Sequence, residues 1–165
     1  QTNYNLSNIL LKQFKFAEGW SKYEWRWKAH HKKKGSIEKK LDTSKPEWKP
    51  NKKGRVFLWS EQGIGDQILF SSLINDLIQE VDQLIVRVVK RLIPLFKKIF
   101  KDKITFIDVN QYLEEDNYDF QITIGSLPKL FRISTESFRK NNQTFLKVDE
   151  SKSNKLKDCM YILEV

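Results

Sequence analysis

A chain of 165 residues has room for one ordinary domain with a core plus a small extra element, and not for two full domains. Its single cysteine, Cys159, excludes a disulfide framework and a cysteine-based zinc site, and no apolar run approaches the ~18 residues of a membrane helix. These features read as a soluble, cytoplasmic product of a reducing compartment. Thirty Lys and Arg against 21 Asp and Glu leave a net charge of +9. The excess is concentrated at positions 32–34, 39–40, 45, 49 and 52–53, where it describes a solvated linker better than a nucleic-acid surface.

In chain order, residues 3–13 carry apolar positions at Tyr4, Leu6, Ile9 and Leu10, and a second segment sets Phe16, Trp20, Tyr23 and Trp27 at steps of four, three and four. That spacing is one face of an α-helix, and the short link at Phe14 and Lys15 predicts a helical hairpin over 1–31. The adjacent histidines His30 and His31 lead into a basic linker, 32–54, in which Trp48 stands out. A tryptophan in such a segment either clamps it onto the neighbouring domain or stacks on a base or sugar.

Residues 56–59 are a short apolar run ending at Ser60-Glu61-Gln62, followed by Gly63 and Gly65 and then by a helical stripe at Phe70, Leu73, Ile74, Leu77, Ile78 and Val81. The pattern predicts a strand, a tight glycine turn and a helix over 66–81, with Asp66 in the first turn as a cap or dipole partner. Further strands are expected at 84–89, 104–108 and 120–124, a helix with Pro94 in its first turn at 91–100, and only a turn at 110–117. Alternating strands and helices specify an α/β fold with a mainly parallel, Rossmann-like sheet, occupying residues 55–165. Beyond the fourth strand, Ser126 suits an N-cap and Pro128 the first turn of another short helix. Residues 161–165 suit either a last strand or the first strand of a further element.

Several chemistries are excluded by spacing. The run Gly63-Ile64-Gly65-Asp66-Gln67-Ile68 has isoleucine where a dinucleotide fingerprint needs its third glycine or alanine, and no GK[ST] follows the glycines. GxSxG, HExxH and spaced metal ligands are absent from the sequence, so no metal or cofactor is expected. Asp66 remains, a carboxylate on a glycine turn at the carboxyl end of a strand, where open α/β sheets bind ligands.

Two resemblances add to this reading. FAEGWSKYEWRW at 16–27 resembles the terminal segment of tetratricopeptide repeats that precede certain bacterial glycosyltransferase domains, with Phe14 where the repeat usually has a small residue. WSEQGIGDQILFSSLI and YDFQITIGSLPKLF resemble the first strand-turn-helix and a later strand with its Ser-Leu-Pro turn in the heptosyltransferase-like enzymes, glycosyltransferase family nine. The resemblance implies the first domain of a GT-B enzyme, with acceptor contacts at Glu61, Gln62, Gly63, Gly65 and Ser126. It also implies Asp66 as general base and a nucleotide-sugar co-substrate held mainly by a second domain that the chain does not reach. A glycan or protein acceptor, and a protein partner for the repeat region, are implied likewise. The alternative is a non-catalytic interaction module built on the same domain.

Overall fold

A computed structural model describes residues 1–29, 40–100, 104–139, 146, 153 and 154. Three helices open the chain: α1 (Thr2–Lys12), α2 (Phe16–Tyr23) and the single turn α3 (Arg26–Ala29). Strand β1 (Arg55–Trp59) then leads through the glycine turn to α4 (Ile64–Ser71) and α5 (Ile74–Ile78), and β2 (Gln83–Val88) leads to α6 (Ile93–Phe100). After β3 (Ile104–Asp108) and β4 (Phe120–Thr123) come α7 (Pro128–Phe131) and α8 (Thr135–Arg139). The four strands form one parallel sheet in the order β3-β2-β1-β4. The α/β class and the parallel sheet expected from the sequence are therefore present. The segment 30–39 and the expected strand at 161–165 lie outside the described residues.

Strand β1 is central, and its side chains alternate between two cores as the period of a strand requires. Val56 and Leu58 point into the larger core with Phe70, Ile74, Leu77 and Phe96, whereas Phe57 and Trp59 join Ile85 and Tyr118 on the other face. This two-sided burial is why the strand reads as a continuous apolar run. The order 3-2-1-4 reverses direction between β1 and β4, so the topological switch point lies between the carboxyl ends of these two strands.

Two local expectations are corrected. The helix predicted over 66–81 starts at Ile64, with Gly63 as N-cap, and is interrupted after Ser71. There the Ser71 and Ser72 hydroxyls turn back onto the Ile68 and Leu69 carbonyls at 2.7 and 2.8 Å, and the backbone tightens to a Leu73 N–H to Phe70 C=O bond. Ser126 is not an N-cap: it lies in a 3-10 turn, residue Leu127 precedes α7, and Pro128 occupies the first turn.

The opening helices belong to the same core as the sheet. Tyr23 is buried with Phe70, their ring centroids 6.4 Å apart, and Trp20 packs edge-on to both rings. The α1–α2 link closes with the Lys15 N–H on Leu10 C=O and the Phe14 N–H on Leu11 C=O, with Phe14 at φ 61°. This is a Schellman motif carrying phenylalanine at the position that favours glycine. The segment read as a linker is not exposed throughout: Trp48 is 1% exposed, and residues 46–48 pair with Gln121 beside β4. Of the two readings left open for Trp48, the clamp is the one its burial against Phe131 describes.

Candidate functional site

The residues singled out in the sequence gather at the carboxyl edge of β1 and β4, but they divide into a buried group and a surface group. Glu61 and Ser126 are 2% and 3% exposed, whereas Gly63 and Gly65 are on the surface and Gln62 and Asp66 are half-buried. Between the two strand ends sits Arg26, from α3, with a side chain that is 0% exposed.

Arg26 engages all three of its guanidinium nitrogens. Nε and Nη2 donate to Glu61 Oε1 at 3.2 and 3.0 Å, Nη2 also reaches Thr123 Oγ1 at 3.0 Å and Ser126 Oγ at 2.9 Å, and Nη1 donates to Glu24 Oε1 at 2.6 Å. The Ser126 hydroxyl donates in turn to Glu24, and that of Thr123 lies 3.2 Å from Glu61 Oε1. The Tyr23 and Trp27 rings stand 4.9 and 4.7 Å from Arg26 Cζ, within cation–π range. Glu61 Oε2 is buried without a hydrogen-bond partner among the described residues. Burial pushes the Glu61 carboxyl up from its usual range, a shift that the Arg26 charge only partly opposes.

The glycine-aspartate turn is held from two sides. On one side the Tyr23 hydroxyl faces the Gln62 amide, 3.0 Å from Oε1, and burial pushes that phenol up to about 12. On the other side Gln67, itself 3% exposed, donates through Nε2 to the Gln62 carbonyl at 2.9 Å and accepts at Oε1 from the Val89 N–H at 3.1 Å, tying the turn to the end of β2. Gly125 is required by close approach, because an added Cβ would stand 2.3 Å from Glu61 Oε1 and 2.8 Å from Gln62 Nε2. At Gly65 the reverse holds: a Cβ would meet nothing within 4 Å, so the backbone there is open to an approaching molecule. Asp66 lies in the first turn of α4, and no side chain caps that helix.

Sequence reasoning missed Arg26, Glu24, Thr123, Gln67 and Gly125. One signal was available for Arg26: a charge set between Trp25 and Trp27 on the flank of an apolar stripe. Beside the network, a small cleft of about 60 Å³ is lined by residues that include Glu24, Trp27, Glu47, Trp59, Gln121 and Ser126. Among the described residues, no group of three or more His, Cys, Asp or Glu is arranged to hold a metal ion, and no helix is long and apolar enough to cross a membrane.

The fold and edge geometry define a parallel α/β domain whose switch point is filled by an arginine from its own preceding helices. The chain is similar to the protein FlbA of Caulobacter vibrioides, 26% identical over an alignment 163 positions long that covers 88% of this chain and 26% of that protein. It thus spans about a quarter of the length of the curated relative that it matches. No family model matches the sequence, and no solved structure matches it.

Proposed function

We propose that this chain is the acceptor-side half of an inverting, cytoplasmic glycosyltransferase that uses a nucleotide-sugar donor, joined to a tetratricopeptide-like region for protein contacts. The observation that carries this reading is the division of the carboxyl edge: Glu61 and Ser126 are taken up by Arg26, while Asp66 is half-buried in the first turn of α4, next to Gly65, where an added Cβ would meet nothing within 4 Å. Asp66 is the general base. It removes the proton of an acceptor hydroxyl as that oxygen bonds to the anomeric carbon, and the bond from that carbon to the nucleotide diphosphate breaks with the electron pair leaving on the diphosphate. Gln62, Gly63 and Gly65 form the surface along which the acceptor lies. Glu61 and Ser126 support that surface through Arg26.

The test is Asp66→Asn in the complete protein that carries this chain, assayed by nucleotide release from a panel of UDP-, GDP- and ADP-linked sugars. Asparagine keeps the size of the side chain and its suitability for a helix start, so thermal unfolding should be near parental while transfer falls by ~10²-fold or more. Transfer at close to the parental rate would reduce Asp66 to a first-turn residue. That result would favour a non-catalytic interaction module, a reading supported by the filling of the switch point with protein.

A further inference from the structure

Arg26 has the surroundings of a bound ligand. Its acceptors come from three separate places in the chain: Glu24 two residues away, Glu61 at the end of β1, and Thr123 and Ser126 around the end of β4. Its position is the crevice at the switch point, where open parallel sheets bind their ligands. A planar, five-donor cation matches this array, because only a fork can reach two carboxylates and two hydroxyls in fixed directions while its carbon stays against aromatic rings. The absence of a side chain at Gly125 makes the space that Glu61 Oε1 and Gln62 Nε2 occupy.

We infer that the carboxyl edge of β1 and β4 is a guanidinium-binding socket made by Glu24, Glu61, Thr123 and Ser126, and that Arg26 is its resident ligand. Through the socket the opening helices position the turn that carries Asp66. Glu61 begins that turn, Gln62 is held to Tyr23, and Gln67 fixes its far end to β2. An empty socket leaves the Glu61 carboxylate, 0% exposed, without a counter-charge. The socket therefore has an affinity for guanidinium compounds that appears once Arg26 is removed. Arg26 acts here as a positioning residue, and the inference holds whether or not Asp66 is a base.

The test is chemical rescue. In Arg26→Gly, exchange of the backbone amides of residues 62–67 with solvent should accelerate by ~10²-fold or more, the scale expected when one partner of a buried pair is lost. Millimolar ethylguanidinium should restore most of the protection, while equal ethylammonium or neutral ethylurea should not. Adding Glu61→Gln should abolish the rescue, and Arg26→Lys should not substitute for it. Amides that recover equally with ethylammonium, or do not respond to ethylguanidinium, overturn the socket. A second readout needs no variant: nitrogen-15 NMR of the intact chain should show the Arg26 Nη protons as separate, slowly exchanging signals. A single averaged line would overturn the inference as well. Neither readout involves sugar transfer, so its outcome is independent of the catalytic proposal.

Discussion

Two arginine–carboxylate pairs bracket the same two strands, and they behave oppositely. At the amino edge Arg55, the first residue of β1, meets Asp119, just before β4, with Nη2 2.8 Å from Oδ1 and both side chains 41% exposed. At the carboxyl edge Arg26 meets Glu61 at 3.0 Å with both side chains 0% exposed. The Arg55 hydrogen bonds pull Asp119 down to about 2, whereas Glu61 is raised in spite of its arginine because the loss of water outweighs the pairing. Where water remains, the partner decides the protonation state; where it is excluded, burial decides it. The exposed pair trims the edge of a sheet that other forces hold. The buried pair makes the opening helices and the Asp66 turn parts of one structure.

The sharpest way to break this comparison is to remove one member of the buried pair. Arg26→Met keeps an apolar stem but leaves Glu61 uncompensated, and should lower the unfolding free energy at neutral pH by roughly 3–5 kcal/mol. The double variant Arg26→Met with Glu61→Leu removes the stranded charge and should recover much of that loss, because apolar replacement of a buried pair is often neutral or better. Urea unfolding of the parent and both variants measures the difference. A single variant that loses less than ~1 kcal/mol would mean that the pair at the switch point is no stronger than a surface one.

The next effect is a pH dependence of opposite sign to the usual carboxylate case. The folded-state pKa of Glu61 lies above its ordinary value of 4.5, so the folded chain binds more protons than the unfolded one across that interval. The cost of keeping the group ionised is in full force above the folded pKa and disappears as pH falls through it toward 4.5. Removing Arg26 takes away the charge that opposes the shift, so the interval widens. The deficit of Arg26→Met should accordingly be larger at pH 8 than at pH 5, read from urea midpoints at the two values. A deficit that is equal at both would show that Glu61 is not the group left stranded.

The same contrast explains what was legible in the sequence. The sheet was readable because β1 and β2 are covered enough to be nearly continuous apolar runs, and the glycines at 63 and 65 marked the turn. The buried charge network had almost no local pattern, since apart from Glu24, two residues away, Arg26 finds its acceptors 35, 97 and 100 residues away. Ser126 obeyed a short-range rule on paper, but its hydroxyl is taken by Glu24 and Arg26. The helix after Gly63 was read as continuous because an apolar stripe does not register two serines that bond back to the preceding turn. Asp66 was legible by position alone. It is half-buried in the first turn of α4, and its chemistry is the proposal made above.

The smallest expected effect is at the exposed pair, and it sharpens the comparison by its weakness. Asp119→Asn keeps an oxygen that can accept from the Arg55 backbone N–H, now 2.8 Å from Asp119 Oδ2, and removes the charge together with the oxygen that accepts from Arg55 Nη2. At neutral pH its stability should fall within the scatter of ordinary surface substitutions, because solvent screens a pair that is 41% exposed on each side. A signature should nevertheless appear in acid. The pKa of Asp119 is depressed from 3.8 to about 2, so the stability it contributes is present above 3.8 and is lost as pH falls from there through 2. Parent and variant should therefore converge below that range. Salt separates the two edges further: at ~1 M the Debye length is about 3 Å, which should erase what little Asp119→Asn costs while leaving the Arg26→Met deficit in place. Thermal unfolding of both variants in low and high salt decides it. If Asp119→Asn costs as much as Arg26→Met, or if salt abolishes both deficits alike, burial is not what distinguishes the two pairs.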